Sequence, residues 1–177
     1  MATVSPVDLS GKNTGFVFVG TAITVIVIDY ASKWWIRRTI GPGAEREEIV
    51  IAGNIVRLRY SENSGIAFGL LNNQQTLVLV LLLLAVGIGG LFLWQLLPGS
   101  SSRVMLGAGL MAGGGLANVI DRVQDGVVTD FISFWRWPLF NVADAALSVG
   151  AIAIALLLYQ SHASDGQNVQ DSAKRTQ

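Results

Sequence analysis

The sequence predicts an all-α membrane protein with four transmembrane helices and a small β-hairpin. Hydrophobic residues make up 51% of the 177 residues and charged residues only 14%, against roughly 25% charged residues in an ordinary soluble domain. Four apolar stretches each approach the about 20 residues that a helix needs to cross the hydrocarbon core. They cover residues 16–38, 76–97, 104–121 and 139–159. Together with the hairpin they predict one membrane domain over residues 1–160.

The first predicted helix, residues 16–38, stops before a Gly-Pro-Gly turn at residues 41–43. Proline lacks an amide donor, and glycine has no steric reason to stay helical. The alternative is a cleaved signal peptide, whose apolar region is typically about 7 to 15 residues long. Asp29 and Lys33 favour a retained helix, because at i and i+4 they share one helix face and can form a structural pair.

The segment after this turn is too polar to span a membrane. Apolar and polar residues alternate from Val56 to Ser61, so residues 45–62 predict an amphipathic β-hairpin that can lie on the membrane surface. Residues 63–69 follow as a turn-rich segment, for which a plain connecting loop is the alternative reading.

Three further stretches predict the remaining helices. Residues 76–97 contain no charge and form the clearest transmembrane segment. Residues 104–121 are rich in glycine and alanine at spacings that let helices approach closely in lipid, which predicts a central helix. The last span, 139–159, follows an aromatic segment typical of membrane interfaces and has Pro138 in its first turn. The polar tail, 161–177, is predicted to be disordered.

Composition excludes several functional classes. Twelve basic and twelve acidic residues leave no net charge, so nucleic acid is not an expected partner. Without cysteine there is no disulfide, thiolate nucleophile or cysteine-ligated metal. The single histidine, His162, lies in the polar tail, which disfavours a Ser-His-Asp triad, and no H-E-x-x-H motif is present to bind zinc. We therefore expect neither a metal nor another cofactor.

Two carboxylates, Asp130 and Asp144, lie at the edges of long apolar stretches. Ionisable groups at membrane depth are costly and usually face a bundle interior or a watery cavity. Two neighbouring aspartates tend to share one proton, so that one acts as a base toward water and the other as an acid. The structural alternative pairs them with Arg122 and Lys33. Asn141 either caps the last helix or lies beside the site.

A polar cluster is predicted at the end of the third helix, where Asn118, Asp121 and Arg122 lie within one turn. A serine-lysine catalytic pair is a competing interpretation. Ser32 is adjacent to the lysine of the first helix and points about 100° away from it, so only Ser61 or Ser64 could join that lysine by folding back.

Five segments in order resemble motifs of the signal peptidase II family, the lipoprotein signal peptidases, and the match extends through most of the chain. Residues 29–33 resemble the D-x-x-S-K motif of the first helix, and residues 63–68 the N-x-G-x-A-F segment. Residues 113–122 resemble the glycine-rich N-x-x-D-R helix. Residues 127–132 and 140–144 resemble the two motifs that carry the catalytic aspartates. A single motif of this kind is weak evidence for the family, whereas five motifs in the same order are specific to it.

The resemblance implies a bacterial inner-membrane aspartic endopeptidase that removes the signal peptide of diacylglyceryl-modified prolipoproteins, cutting before the lipidated cysteine. Asp130 and Asp144 would carry catalysis, and Asp29 and Lys33 would be a structurally supporting pair. Six residues match positions that bind or support the substrate: Asn63, Gly65, Asn118, Arg122, Asn141 and Ala143. The hairpin would correspond to the family's extracytoplasmic cradle, with the active site at that face.

The implied partners are lipid-modified prolipoproteins and membrane lipids, with the enzyme acting as a monomer. Three positions depart from the family pattern: Tyr30 stands for the usual Gln, Ala117 for Gly and Thr129 for Val. The alternative function is a small transporter or channel subunit with intramembrane carboxylates, although no internal repeat supports it. A noncatalytic membrane scaffold would leave the placement of the Asn and Asp residues unused.

Four spans would place both termini on one side of the membrane, and the hairpin and both aspartates on the other. Eight basic residues lie on the hairpin side, against four on the terminal side: Lys12, Arg103, Lys174 and Arg175. This count opposes the positive-inside rule if the termini are cytoplasmic. The resemblance predicts cytoplasmic termini despite that count.

Overall fold

The computed structural model describes residues 10–53, 55–65, 74–96 and 101–175. Within these ranges it consists of four helices and one three-stranded antiparallel sheet. The elements in chain order are α1 Ser10–Ile40, β1 Glu48–Ala52, β2 Val56–Asn63, α2 Gln75–Leu96, α3 Ser102–Asp125, β3 Val128–Phe134 and α4 Val142–Arg175.

Three of these helices are long and apolar enough to cross a membrane. The three segments are Thr14–Ile40, Ser102–Asp125 and Val142–Gln160. α2 also contains a shorter apolar stretch, Leu79–Leu91, within its 22 residues. Three spans are therefore found in the described residues, and the fourth stays a prediction.

The third helix, α3, lies at the centre of the bundle between α1 and α4. In its most apolar stretch 56% of the residues are buried, against 17% in α1 and 22% in α4. The central position predicted from the glycine pattern is therefore confirmed. The outer helices direct most of their apolar side chains away from the protein, as expected where lipid surrounds them.

Glycines of α3, which have no side chain, set the distances from α3 to α1 and to α4. A Cβ built at Gly109 would lie 2.7 Å from the carbonyl oxygen of Phe18 in α1. One built at Gly114 would overlap the carbonyl oxygen of Ala143 in α4. In both cases the obstacle is backbone, which cannot rotate away, so only glycine permits these contacts.

The sheet covers the C-terminal end of α1. β2 lies in the middle and pairs antiparallel with β1 and β3. Ile36 and Ile40 of α1 are buried with Phe131 of β3 in one apolar cluster. The hairpin predicted over residues 45–62 is present as β1 and β2, and the third strand extends it into a sheet.

The strand β3 was not predicted from the sequence. Residues 128–131 are all buried, so the strand lacks the apolar–polar alternation of a half-exposed strand. Its partner β2 also lies far earlier in the chain. Gly126 makes the turn from α3 into β3: its φ is 75°, and its N–H donates to the carbonyl oxygen of Arg122 at 3.1 Å.

The start of α4 differs from the predicted span of 139–159. The helix begins at Val142, and Pro138 lies outside its first turn. Phe140 still belongs to the sheet edge, where its carbonyl oxygen accepts the N–H of Ile132 at 2.8 Å. Asn141 then caps the helix, so the cap and not the proline determines where α4 starts.

The structure continues α4 to Arg175, whereas the sequence predicted a disordered tail over residues 161–177. Extending an existing helix adds one hydrogen bond per residue without a new nucleation step. The Ala, Gln, Lys and Arg residues of this segment also have good helix propensity. Two other helices are also longer than predicted: α1 begins at Ser10, and α3 ends at Asp125.

We predict that Gly114→Ala destabilises the protein by about 1–3 kcal/mol, because the added methyl group forces α3 and α4 apart. Thermal unfolding in detergent micelles measures the effect. Gly20→Ala in α1 is the matched control, since a Cβ there meets nothing within 4 Å, and it should be neutral or stabilising by up to about 1 kcal/mol. Equal unfolding temperatures for the two variants would contradict the close approach of α3 and α4.

Candidate active site

The two candidate aspartates face one cavity of about 690 Å³ at the sheet end of the bundle. Polar residues of its lining come from β2, α3, β3, α4 and the adjoining loops: Ser61, Glu62, Asn63, Ser64, Asn118, Arg122, Asp130, Asp144 and Ser148. Its apolar wall includes Leu82, Trp137, Leu139, Phe140 and Leu147. A second cavity of equal volume between α1, α3 and α4 is lined by apolar residues, glycine and threonine, so it lacks ionisable chemistry.

Asp130 lies in β3 opposite Ser61 of β2 and is only 5% exposed. Its two carboxylate oxygens accept hydrogen bonds from two asparagines. Asn63 Nδ2 donates to Oδ2 at 2.9 Å, and Asn141 Nδ2 donates to Oδ1 at 2.8 Å. The carboxylate is therefore held from two sides by groups that do not titrate.

Asp144 lies in the first turn of α4. Its Oδ1 accepts a hydrogen bond from Asn118 Nδ2 at 2.7 Å, and its Oδ2 accepts the backbone N–H of Asn141 at 3.2 Å. In return, Asn141 Oδ1 accepts the backbone N–H of Asp144 at 2.9 Å. These two reciprocal bonds form a capping box with a carboxylate in the third helical position.

Asn141 therefore fills both of the roles that the sequence left open. It caps α4, and its side chain, which is fully buried, lies between the two aspartates. Its Nδ2 donates to Asp130 Oδ1 at 2.8 Å and to Asn118 Oδ1 at 3.2 Å. Asp130 and Asp144 are thus connected through one amide, although they come from a strand and a helix.

Burial raises the pKa of the Asp130 carboxyl to about 6, because desolvation disfavours its charged form. The hydrogen bond from Asn63 opposes this shift, and the nearby negative charge of Asp144 adds to it. The hydrogen bond from Asn141 and the charge of Lys33 also lower the pKa. Near neutral pH the Asp130 carboxyl can therefore take up a proton far more readily than an aspartate in water.

Arg122 forms no ion pair with either aspartate among the described contacts. Its guanidinium donates instead to backbone carbonyl oxygens of the loop after β2, those of Asn63, at 3.3 Å, and Gly65. Gly65 is held further by its N–H, which donates to Asn63 Oδ1 at 3.0 Å. Arg122 therefore fixes the segment that carries Asn63, and the predicted pairing of the aspartates with Arg122 is absent from the described residues.

Lys33 lies behind the aspartates, on the α1 side of α3. Its Nζ pairs with Asp29 and lies 2.7 Å from Asp121 Oδ2, and it donates to Asn118 Oδ1 at 3.3 Å. Asp29 Oδ1 in turn accepts the N–H of Ala143 at 2.9 Å, which connects α1 to the first turn of α4. The described contacts of Lys33 include no serine, so the serine-lysine alternative has no support in this geometry.

The structure thus gathers all ten predicted site residues in one region but gives them different positions. Five line the cavity: Asn63, Asn118, Arg122, Asp130 and Asp144. Asn141 bridges the aspartates, whereas Gly65 and Ala143 act through their backbones. Asp29 and Lys33 support the cavity wall from behind. Within the described ranges, no group of three or more His, Asp or Glu side chains could hold a metal ion.

Two contributors were not identified as site residues from the sequence. Asp121 was placed in a polar cluster without a role, yet it is one of the two carboxylates that pair with Lys33 in the described residues. Arg37 of α1 donates from Nε to Thr129 Oγ1 at 3.0 Å and pairs with Asp125 at 2.7 Å. Thr129 is fully buried next to Asp130, so this departure from the family pattern ties β3 to α1. Lys33 and Arg37 are at positions i and i+4 and therefore lie on one helix face, and this spacing was the sequence signal that could have identified Arg37.

A family model described as signal peptidase (SPase) II matches residues 21–160 of the chain. The lipoprotein signal peptidase of Moorella thermoacetica is 39% identical over 138 residues, which cover 77% of this chain and 89% of that protein. The lipoprotein signal peptidase of Streptococcus agalactiae is 34% identical over 148 residues, which cover 82% of this chain and 94% of that protein.

Two solved structures, both described as bacterial membrane enzymes, have a similar fold. The first has a TM-score of 0.70 at 23% identity and covers 83% of this chain and 90% of its own. The second has a TM-score of 0.65 at 24% identity and covers 80% of this chain and 91% of its own. The arrangement of helices and sheet is therefore shared with known membrane enzymes.

We predict that the carboxyl of Asp130 titrates near pH 6, and that Asn63→Leu raises its pKa further because the variant loses a bond that stabilises the ionised form. Carboxyl NMR of the protein with ¹³C-labelled aspartate, titrated in micelles, measures both values. Asp130→Asn identifies the resonance. A titration near pH 4 in the parent, or a lower pKa in the Asn63 variant, would show that burial does not control this group.

Proposed function

Because the chain belongs to the signal peptidase II family, we propose that Asp130 and Asp144 are the catalytic pair of an aspartic endopeptidase. The chain removes the signal peptide from prolipoproteins, which is the activity of its family and of its close relatives. The observation that carries the proposal is the position of Asn141, whose side-chain Nδ2 donates to the carboxylate of Asp130 and whose backbone N–H donates to the carboxylate of Asp144 at the wall of one cavity.

The proposed reaction uses one water and one shared proton. We assign the shared proton to Asp130, because burial raises its pKa to about 6, nearer neutrality than that of a free aspartate, and Asp144 acts as the base that accepts a proton from the water attacking the scissile carbonyl carbon. Asp130 at the same time protonates the carbonyl oxygen. Asp144 then gives its proton to the leaving nitrogen, one hydroxyl of the tetrahedral intermediate returns its proton to Asp130, and the C–N bond breaks to release the signal peptide and the new amino terminus.

The surrounding asparagines suit this chemistry because they orient the carboxylates without taking part in proton exchange. Asn63 and Asn141 hold Asp130, while Asn118 holds Asp144. A lysine or arginine in direct contact would instead keep a carboxylate ionised and oppose the shared proton. We propose that these amides keep the pair within reach of one water.

Substrate binding is proposed for the rest of the cavity. The loop over residues 63–65 is held in place by Arg122, so its backbone can position an extended peptide beside the aspartates. The apolar wall around Trp137, Phe140 and Leu147 offers a surface for the lipid-modified residue of a diacylglyceryl prolipoprotein, with cleavage just before the lipidated cysteine. The transporter alternative is not favoured by the family or the relatives.

We also propose four spans, with cytoplasmic termini and the site at the extracytoplasmic face of the bacterial inner membrane. α1 and α3 both end at the sheet, so the chain must cross back between them. The described element in that interval is α2, Gln75–Leu96. The enzyme is proposed to act as a monomer on lipid-modified prolipoproteins, because the cavity is formed by one chain.

We predict that Asp130→Asn and Asp144→Asn each lower kcat by about 10²–10⁴-fold, since an amide cannot exchange a proton as a carboxyl group does. The double variant should lose no more than either single variant, because the two residues act as a unit. Cleavage of a lipidated precursor in detergent measures the effect, with the unlipidated precursor as the test of substrate class.

The matched control is Asp125→Asn, which removes a carboxylate from an exposed ion pair with Arg37 at the end of α3. It should stay within about twofold of the parent, as exposed ion pairs contribute little. Substantial turnover by a folded Asp130 or Asp144 variant would refute the assignment. Equal cleavage of both precursors would refute the preference for lipid-modified substrates.

The topology predicts that a cytoplasmic reporter fused after Gln177 or after Gly99 is active, and that a reporter of export fused after Asn72 is active. Paired green fluorescent protein and alkaline phosphatase fusions at each point decide between the two sides. An exported reporter active after Gly99 would show that α2 does not cross the membrane, and one active after Gln177 would invert the orientation.

A further inference from the structure

The side chain of Asn118 must face in one direction for the site to work. The oxygen and the nitrogen of an asparagine amide have nearly the same shape, but one accepts and the other donates hydrogen bonds. Asp144 needs a donor, so Asn118 must present its Nδ2 to that carboxylate, as it does at 2.7 Å. A flipped amide would place an oxygen against the carboxylate and repel it.

Two donors on the opposite side determine this orientation. Asn118 Oδ1 accepts from Lys33 Nζ at 3.3 Å and from Asn141 Nδ2 at 3.2 Å. A flip would put the amide hydrogens of Asn118 against both of these donors. The amide network therefore has one arrangement that satisfies all of its members.

Of the two donors, Lys33 is the one available to Asn118 as a charged group. Asn141 divides its amino group between Asn118 and Asp130, and its contact with Asp130 is the shorter one, at 2.8 Å. Hydrogen bonds from an ionised donor are about twice as strong as those between neutral groups. The ammonium of Lys33 thus dominates the field around Asn118 Oδ1.

The position of the ammonium is itself fixed. Lys33 is 3% exposed, and its Nζ has three oxygen neighbours, one each from Asp29, Asp121 and Asn118. One of the N–H donors of the ammonium group is directed at Asn118 Oδ1, and the buried carboxylates of Asp29 and Asp121 form ion pairs with the same group. Of the three partners, only Asn118 lines the catalytic cavity.

We propose that Lys33 is a positioning residue for the reaction, which acts through Asn118 on the catalytic Asp144, and that the ion pairs with Asp29 and Asp121 hold its ammonium group in position for this purpose. The inference rests on the proposed aspartic mechanism. It differs from a purely structural role, because it assigns to Lys33 an effect on turnover that remains when the fold is intact.

Removing Lys33 alone would leave Asp29 and Asp121 as unpaired buried charges and would confuse folding with catalysis. The test therefore neutralises the whole cluster in the variant Asp29→Asn/Lys33→Met/Asp121→Asn. Asparagine at position 29 keeps an oxygen for the N–H of Ala143. We expect kcat to fall by about tenfold, equivalent to about 1.4 kcal/mol of activation free energy, while KM stays within about twofold.

The decisive measurement is the same set of changes in an Asn118→Ala background. If Lys33 acts through Asn118, the cluster changes should lower kcat no further there. A second set carries Gln instead of Met at position 33, which is equally long and uncharged but can donate a hydrogen bond. The kcat of the Gln variant should fall less than that of the Met variant. If the Met variant fails to fold, the Gln variant is compared in the presence and absence of Asn118 in its place.

Three results would overturn the proposal: an unchanged kcat in the folded Met variant, a change in KM alone, or an equal loss of kcat with and without Asn118. Thermal unfolding in micelles verifies that each variant is folded. Asp144→Asn serves as the reference for the mechanism. Full turnover by that variant would refute the aspartic mechanism, whatever the Lys33 variants do, so the two failures can be told apart.

Discussion

The close contact of α3 with its two neighbours is the constraint on which the rest of the structure depends. In lipid, apolar side chains gain little by leaving the solvent for each other, so helices associate mainly through packing and hydrogen bonds. Glycines at positions 109 and 114 let α3 touch the backbones of α1 and α4 directly. Only at this distance can short side chains such as Asn118, Asp121 and Asp144 bridge from helix to helix.

Nearly all buried polar side chains between these closely packed helices have hydrogen-bond partners. Buried polar groups are costly unless they are paired, and more so in a medium of low dielectric constant. One cluster of charged side chains lies on the α1 side of α3, where Lys33 meets Asp29 and Asp121. Neutral amides separate that cluster from Asp130 and Asp144. This division allows the proposed catalytic pair to keep a titratable proton while the nearby cations remain paired elsewhere.

The sheet contributes the second half of the site. Asp130 comes from β3, whose path is set by the Gly126 turn and by pairing with β2. Arg37 holds the far side of the same strand through Thr129. A carboxylate on a strand and another at a helix N-terminus thus face one cavity with different surroundings, and a difference in surroundings is what separates the proton affinities of two like groups.

Much of the candidate site could be predicted from local sequence, because each residue lies in a short motif. The apolar stretches, the glycine-rich helix, the hairpin and both aspartates needed only composition, period and spacing. The start of α4 was misplaced, since the Asn141 cap and the pairing of Phe140 with β3 outweighed the proline signal. The helical tail was missed because helix extension leaves no strong pattern in a polar segment.

The sequence by itself determined which side chains are available: the long apolar helices, the small residues of α3, the two aspartates and the amides near them. Only the tertiary structure decided which of these groups meet. The strand β3 forms only because it pairs with β2, which lies much earlier in the chain. The sequence allowed Arg122 to pair with an aspartate, but in the structure it donates to a backbone carbonyl of the loop after β2. The physical reason is that a hydrogen bond between distant segments depends on which faces of the packed elements meet, and a local pattern does not identify a partner that lies far away in the chain.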